Sequence, residues 1–158
     1  MAGCVNGLID AQGIILNYRK EGATPWTQLL NHMDVPLPGA ERDLDDITDD
    51  TNLWQMQVVA GVIKQGAFEF NLPQRTDTAG SAQQVALKTM FISGECVEWQ
   101  LVLPDEAKTS YEFCASISKF SPSRARSQKN RIAVALAITG EVIEKRDGTP
   151  VLPLPVTP

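Results

Sequence analysis

A chain of 158 residues with 43% hydrophobic content fits one compact domain with a sizeable core and needs no second domain. Its net charge of −5 argues against a dedicated duplex-DNA binder, which neutralises phosphates with a surplus of Lys and Arg. Three cysteines, Cys4, Cys96 and Cys114, are an odd set without a close pair, so neither a disulfide framework nor a CxxC redox or zinc site is indicated and the thiols read as free and mostly buried.

In chain order, no basic residue precedes Arg19, and no apolar run anywhere reaches the roughly 18 residues a membrane helix needs. The sequence therefore reads as one for a soluble intracellular setting, without membrane contact. Ala2-Gly3-Cys4 resembles the end of a lipoprotein cleavage site, but no apolar stretch precedes it, and Cys4 reads as an ordinary thiol near a loose terminus. Gly13 to Lys20 opens with a β-branched run, and Trp26 to Met33 is a second short ordered segment, strand or helical turn, bounded by turn-rich breaks around Gly22 to Pro25 and Pro36 to Gly39. Leu53 to Pro73 holds two apolar stretches around Gly61 and Gly66; in the second, Phe68, Phe70 and Leu72 alternate with Ala67, Glu69 and Asn71, which is strand periodicity with one face buried.

The period then changes. Across Ser81 to Ser93, Ala82, Ala86, Leu87, Met90 and Phe91 fall on one helical face, with Ser81 as the expected N-cap and Gly94 as the stop. Three more strands follow: Val97 to Leu103, Tyr111 to Phe120 and Arg131 to Glu144, the first two joined by a turn at Pro104 to Ala107. Ser121 to Asn130 is polar and turn-rich, and the prolines after Gly148 exclude regular secondary structure there. One helix among six or so strands, with no βαβ alternation and no repeat, predicts a mainly β fold: an antiparallel β-sandwich or barrel flanked by one short α-helix. Residues 1–148 are expected to form this β domain, with a long loop at about 36–52, and residues 149–158 a proline-rich C-terminal arm.

The charge is unevenly spread. Residues 41–50 carry Glu41, Asp43, Asp45, Asp46, Asp49 and Asp50 against Arg42 alone, a local −5. An EF-hand-type calcium loop is a poor fit: counted from Asp43, Ile47, Thr48 and Trp54 fill the fifth, sixth and twelfth positions, where Asp or Asn, Gly and a bidentate Glu are required. The opposite charge sits in residues 119–131, where Lys119, Arg124, Arg126, Lys129 and Arg131 give +5 with no acidic residue among them. Each segment reads alone as a solvated loop. Together they predict complementary subunit contacts, an acidic and a basic surface on each copy that steer association and fix register while buried apolar area supplies most of the affinity. Contacts between unlike patches propagate as rings or stacks.

For catalysis the inventory is thin. His32 is the only histidine, and LLNHMDV around it matches no catalytic signature; it reads as structural. GxSxG, Walker, GxGxxG and HExxH motifs do not occur, which leaves only carboxylates such as Glu98 or Glu112 for acid–base chemistry. No catalytic residue, cofactor or metal is assigned, and the chain reads as structural, not enzymatic. Trp26, Trp54 and Trp99 and the apolar strand faces read first as core, with a subunit contact as the alternative for some of them.

The order of features resembles the tail tube proteins of lambda-type, long-tailed bacteriophages (siphoviruses). The resemblance begins in VPLPGAERDLDDITDDTNLWQMQVVAGVIKQGAFEFNLP: a Pro/Gly turn, an acidic segment ending in Asp46-Ile47-Thr48, then a strand pair leading to Gly66-x-Phe68-x-Phe70. It continues through the short helix, WQLVLPD, YEFCASISKFSP and a last strand reaching Thr139-Gly140, and spans roughly residues 14–145. It implies a β-sandwich or barrel flanked by a helix, self-assembled as hexameric rings stacked into the tube through which the genome leaves. It further implies a virion location after assembly in the host cytoplasm, partners among tape measure, tail tip and tail terminator proteins, and transient passage of double-stranded DNA. In that family the long loop, here about Pro36 to Asn52, and the terminal arm help join one ring to the next. The additional immunoglobulin-like domain of some relatives has no counterpart in this sequence. Two alternatives stand beside this reading: an Hcp-like secretion ring or minor tail-completion protein of the same fold, and a single-stranded nucleic-acid binder using the 119–131 segment, which lacks interleaved aromatics for base stacking.

Overall fold

The computed structural model describes residues 13–20, 25–30, 32–127, 129–147 and 149–150; Cys4 and positions 151–158 of the expected arm lie outside them. The order is β1 (Ile15–Lys20), β2 (Thr27–Gln28), β3 (Ala40–Asp46), β4 (Gln57–Gln65), β5 (Phe68–Pro73), α1 (Thr78–Ser93), β6 (Cys96–Val102), β7 (Ser110–Ser123), β8 (Arg131–Arg146) and β9 (Thr149–Pro150). The main sheet is antiparallel in the order β2-β1-β6-β7-β8-β5, with β9 added to β8, while β3 and β4 form a separate two-stranded sheet. The fold is mainly β with one helix, as the patterning predicts. One outcome differs from expectation: β9 is a short strand just after Gly148, where prolines argued against one; Trp26 to Met33, expected as strand or helical turn, contains the strand β2 and an isolated bridge from Met33 to Asn71.

Period-2 alternation builds the core. Leu16 and Tyr18 of β1, Val97, Trp99 and Leu101 of β6, Phe113, Ala115 and Ile117 of β7, Ile132, Val134 and Leu136 of β8, and Phe68, Phe70 and Leu72 of β5 all point to one face. Trp99 is fully buried, its ring centroid 5.8 Å from that of Tyr18 and 6.1 Å from that of Phe70, and its indole Nε1–H donates to the Ala115 carbonyl at 3.4 Å. The buried polar tip therefore has a partner, as such a tip requires.

The helix closes this face over β7, with Leu87 and Met90 buried in the core. It begins one turn earlier than its apolar period suggests. Asp77, in extended conformation, is the N-cap and accepts from the Gly80 amide, while Arg75 holds its carboxylate at 2.6 Å; Ser81 lies inside the first turn. Gly94 ends the helix in the left-handed region at φ 69° and donates to the Met90 carbonyl at 3.0 Å, as its sequence position predicts. Ala82 and Phe91, expected on the buried face, are exposed, and Phe91 stacks on Phe120 instead.

Candidate functional site

The feature that stands apart from this core is the β3–β4 hairpin. The region expected to be a long loop at 36–52 is irregular chain over 35–39, strand β3 over 40–46 and a turn. β3 carries Glu41, Asp43, Asp45 and Asp46, and pairs with β4, which reads Val58, Val59, Ala60, Val62, Ile63. Near the base three residues, Gly61 to Ile63, face Arg42 alone; Gly61 takes φ 75°, a conformation suited to glycine, and its carbonyl accepts from Arg42 at 3.1 Å. Among the described residues the hairpin's hydrogen bonds to the rest of the chain run through Gln65, whose Nε2 donates to the Gly140 carbonyl of β8 at 3.0 Å.

The turn at its tip is held by its own acidic side chains. The Asp46 carboxylate accepts from the Thr48 amide at 2.9 Å and hydroxyl at 2.5 Å, and from Gln55 at 3.2 Å; Asp49 does the same for Thr51 at 2.9 and 2.6 Å. The Thr48 hydroxyl also accepts from the Met56 amide at 2.8 Å, and the Asn52 side chain accepts from the Asp49 amide at 2.9 Å. These bonds favour the charged carboxylates and hold both below the ordinary range, the Thr48 hydroxyl being the largest cause for Asp46 and the Thr51 hydroxyl for Asp49. The six acidic residues expected in a contact loop thus divide: Glu41, Asp43, Asp45 and Asp46 lie on a strand, and Asp49 and Asp50 follow in the turn. Asp43 is further tied to Lys64 at 2.8 Å.

This tip lifts apolar side chains into solvent. Leu53 is 95% and Trp54 84% exposed, and Leu44, Ile47, Val59 and Val62 of the same hairpin are also exposed. Expecting Trp54 in the core was therefore wrong. An isolated two-stranded hairpin has no layer behind it to bury such a side chain, and the neighbouring run of aspartates was the signal that the segment leaves the core.

The basic residues expected in a second contact loop fall on two strands and a turn. Lys119 lies on β7 and reaches Glu69 at 3.5 Å, Arg131 opens β8, and Arg124, Arg126 and Lys129 are exposed in the connection between them. The structure does not bring the acidic and basic segments of one chain together: none of the ion pairs among the described residues joins them.

Two surface depressions flank these elements. An open groove of about 750 Å³ lies between the hairpin base and the C-terminal half of β8, lined by Pro38, Ile63, Tyr111, Ile138, Val142, Glu141 and Glu144 among others. Burial, reinforced by Glu144, pushes the Tyr111 hydroxyl above its ordinary range. A smaller depression of about 360 Å³ on the opposite sheet face holds the ion pairs Arg19–Glu98 and Lys145–Glu112, with the Arg19 guanidinium 4.1 Å from the Trp26 ring centroid. The carboxylates considered for acid–base work, Glu98 and Glu112, are thus both in ion pairs. His32 is half-buried, and burial holds its pKa below the ordinary value against a hydrogen bond with the Ile14 backbone. Cys96 and Cys114 are half-buried, more exposed than expected. Among the described residues no group of three His, Cys, Asp or Glu side chains is placed to hold a metal ion.

In fold, this antiparallel sheet capped by one helix and extended by a hairpin is similar to chains solved in tail and tube assemblies. The chain is similar to a component of the six-fold symmetrised baseplate of the anti-feeding prophage at TM-score 0.66 and 8% identity, over 85% of this chain and 93% of that one. It is similar to a chain from the tail of an empty gene transfer agent particle, refined with C6 symmetry, at TM-score 0.64 and 12% identity over 84% and 96%. It is similar to the SPP1 tail tube protein at TM-score 0.62 and 14% identity over 88% and 80%. No protein-family model and no curated protein sequence matches the chain.

Proposed function

We propose that this chain is a structural subunit that assembles with copies of itself into stacked rings, forming the tube of a phage-type tail and the conduit for genome delivery. The observation that carries the reading is the agreement of its fold, at TM-scores of 0.62 to 0.66 over 84 to 88% of its length, with chains from tail and tube assemblies. Six copies per ring is the stoichiometry we favour, in keeping with the six-fold and C6 symmetry of two of those assemblies. In this reading the finished tube is part of a virion and is built in the host cytoplasm. Tape measure, tip and terminator proteins would meet it during assembly, and double-stranded DNA would pass through it.

The hairpin supports self-assembly on physical grounds. A strand with an unpaired edge and exposed Val and Ile side chains is a template for another chain, and the nine residues of β4 have one such edge outside the β3 ladder. The acidic strand beside it disfavours pairing of identical β3 edges, since like charges would then face each other. In this proposal the acidic residues Glu41, Asp43, Asp45, Asp46, Asp49 and Asp50 of one copy face Lys119, Arg124, Arg126, Lys129 and Arg131 of a neighbour. Because the two patches are unlike, each copy keeps one of each free for the next.

Negative-stain electron microscopy of the purified protein over a concentration series tests the reading. Rings or hollow tubes are the expected result. Monomers throughout, with no tubes even after addition of a preformed tail tip, would overturn it.

A further inference from the structure

The most exposed large apolar side chains among the described residues, Leu53 and Trp54, sit on a turn that is acidic and internally braced, so they are presented to a partner and not left loose. Their site of docking must be apolar at its centre and positively charged around it. The groove at the hairpin base meets the first condition and fails the second, because Glu141 and Glu144 line it and would repel Asp46, Asp49 and Asp50.

The outer face of α1 meets both. Val85, Lys88, Thr89 and Ile92 recur at the helical spacing of one stripe, with Val85 61% and Ile92 73% exposed, and the Phe91–Phe120 stack flanks them with ring centroids 6.5 Å apart. The basic turn follows from Phe120 at the end of β7. Its far side is fastened to the chain entering the helix: the Gln74 amide donates to the Asn130 carbonyl at 2.9 Å, and Gln84 of the helix donates to the Pro73 carbonyl at 2.6 Å. Among the described residues Lys88, Arg124, Arg126 and Lys129 have no ion-pair partner. Apolar stripe and exposed cations thus form one surface.

We propose that the hairpin tip of one copy docks on the α1 face of another, with Trp54 and Leu53 packed on Val85 and Ile92 and the tip aspartates facing Lys88, Arg124 and Arg126. The occupant is a second copy because the tip stands about 30 Å from its base at the rise of roughly 3.3 Å per residue along the nine residues of β4, and that base is fastened to β8 at Gly140, whereas α1 packs on β7. This inference rests on the tube reading and adds to it the residues that make the contact. It also divides the labour: the aromatic anchor supplies affinity, and the charges set orientation.

Two exposed positions test it without endangering the fold. Trp54→Ala removes the anchor, and Ile92→Asp places a carboxylate where the acidic tip must land. Each is expected to raise the concentration needed for assembly by roughly tenfold or more, read by sedimentation. Mixing the two variants is the decisive arm: the intact tip of the Ile92→Asp chain still fits the intact face of the Trp54→Ala chain, so a discrete 1:1 heterodimer forms from two species that are each monomeric. Tubes of Ile92→Asp that form at the same concentration as wild type, or a mixture that yields no heterodimer where each variant alone is monomeric, overturn the α1 contact and leave the tube reading standing. A wild-type chain that never assembles overturns the tube reading and this contact with it.

Discussion

The main sheet and the hairpin use strands of similar composition for opposite ends. In the main sheet the apolar residues of β5 and β6 alternate with largely polar ones, those of β8 with alanines, and they disappear into the core, whereas in β4 the pairs Val58-Val59 and Val62-Ile63 are apolar on both sides and remain in solvent. The two tryptophans mark the contrast: Trp99 is wholly buried and hydrogen-bonded, Trp54 is 84% exposed. The lesson is that apolar content says how much surface seeks cover, and the architecture around a strand decides whether the cover comes from the same chain or from another.

The sharpest way to break this comparison is to truncate each tryptophan. Trp99→Ala is expected to cost about 3–5 kcal/mol of stability through lost burial and the cavity left behind, read from a denaturant melt. Trp54→Ala should stay within about 0.5 kcal/mol of wild type in the same melt; an equal loss from both would mean the hairpin is part of the folding core. Next in size, reversing Asp45 and Asp50, whose carboxylates have no hydrogen-bond or ion-pair partner among the described residues, to Lys should weaken assembly by several-fold and flatten its dependence on salt, read by light scattering from 50 to 500 mM NaCl as roughly bracketing the screening range. Unchanged assembly would remove the acidic strand from the contact. Gly94→Ala is the control on the core side. It places a Cβ at φ 69°, which costs about 1 kcal/mol, and should shift the melt without touching assembly of the folded protein.

The smallest effect concerns pH. Asp46 and Asp49 have pKa values lowered in the folded chain, by their bonds to Thr48 and Thr51 first of all, so their contribution to the turn is present above the unfolded carboxylate value of about 3.9 and is lost as pH falls through the lowered folded-state values. Amide exchange of Thr48 and Thr51 should therefore accelerate below about pH 4 relative to the β6–β7 amides, after allowance for intrinsic rates. Uniform behaviour of both regions would show that the tip is not held by those carboxylates.

Much of the main sheet is legible in the sequence because its strands have one wet and one dry face. Alternation at Phe68-Phe70-Leu72 and Val97-Trp99-Leu101 fixes both element and buried face without reference to neighbours. The helix is legible in period but not in its start, since Asp77 outcompetes Ser81 as cap only once Arg75 and the Gly80 amide are placed around it. The candidate surface is legible as charge and not as shape: the acidic run announces an exposed segment, but that Glu41 to Asp46 would be a β-strand follows from pairing with β4, since Asp is a poor strand former by itself.

The sequence by itself determined the mainly β class, the presence and C-terminal end of the helix, the buried faces of the alternating strands and the separation of charge into two segments, because local periodicity and composition encode these directly. The tertiary structure alone decided that Trp54 faces water and Trp99 does not, that the acidic residues stand on a hairpin, and that the basic turn adjoins an apolar helix face. Those outcomes depend on which strands find a layer to pack against, and that is settled only between elements far apart in the chain.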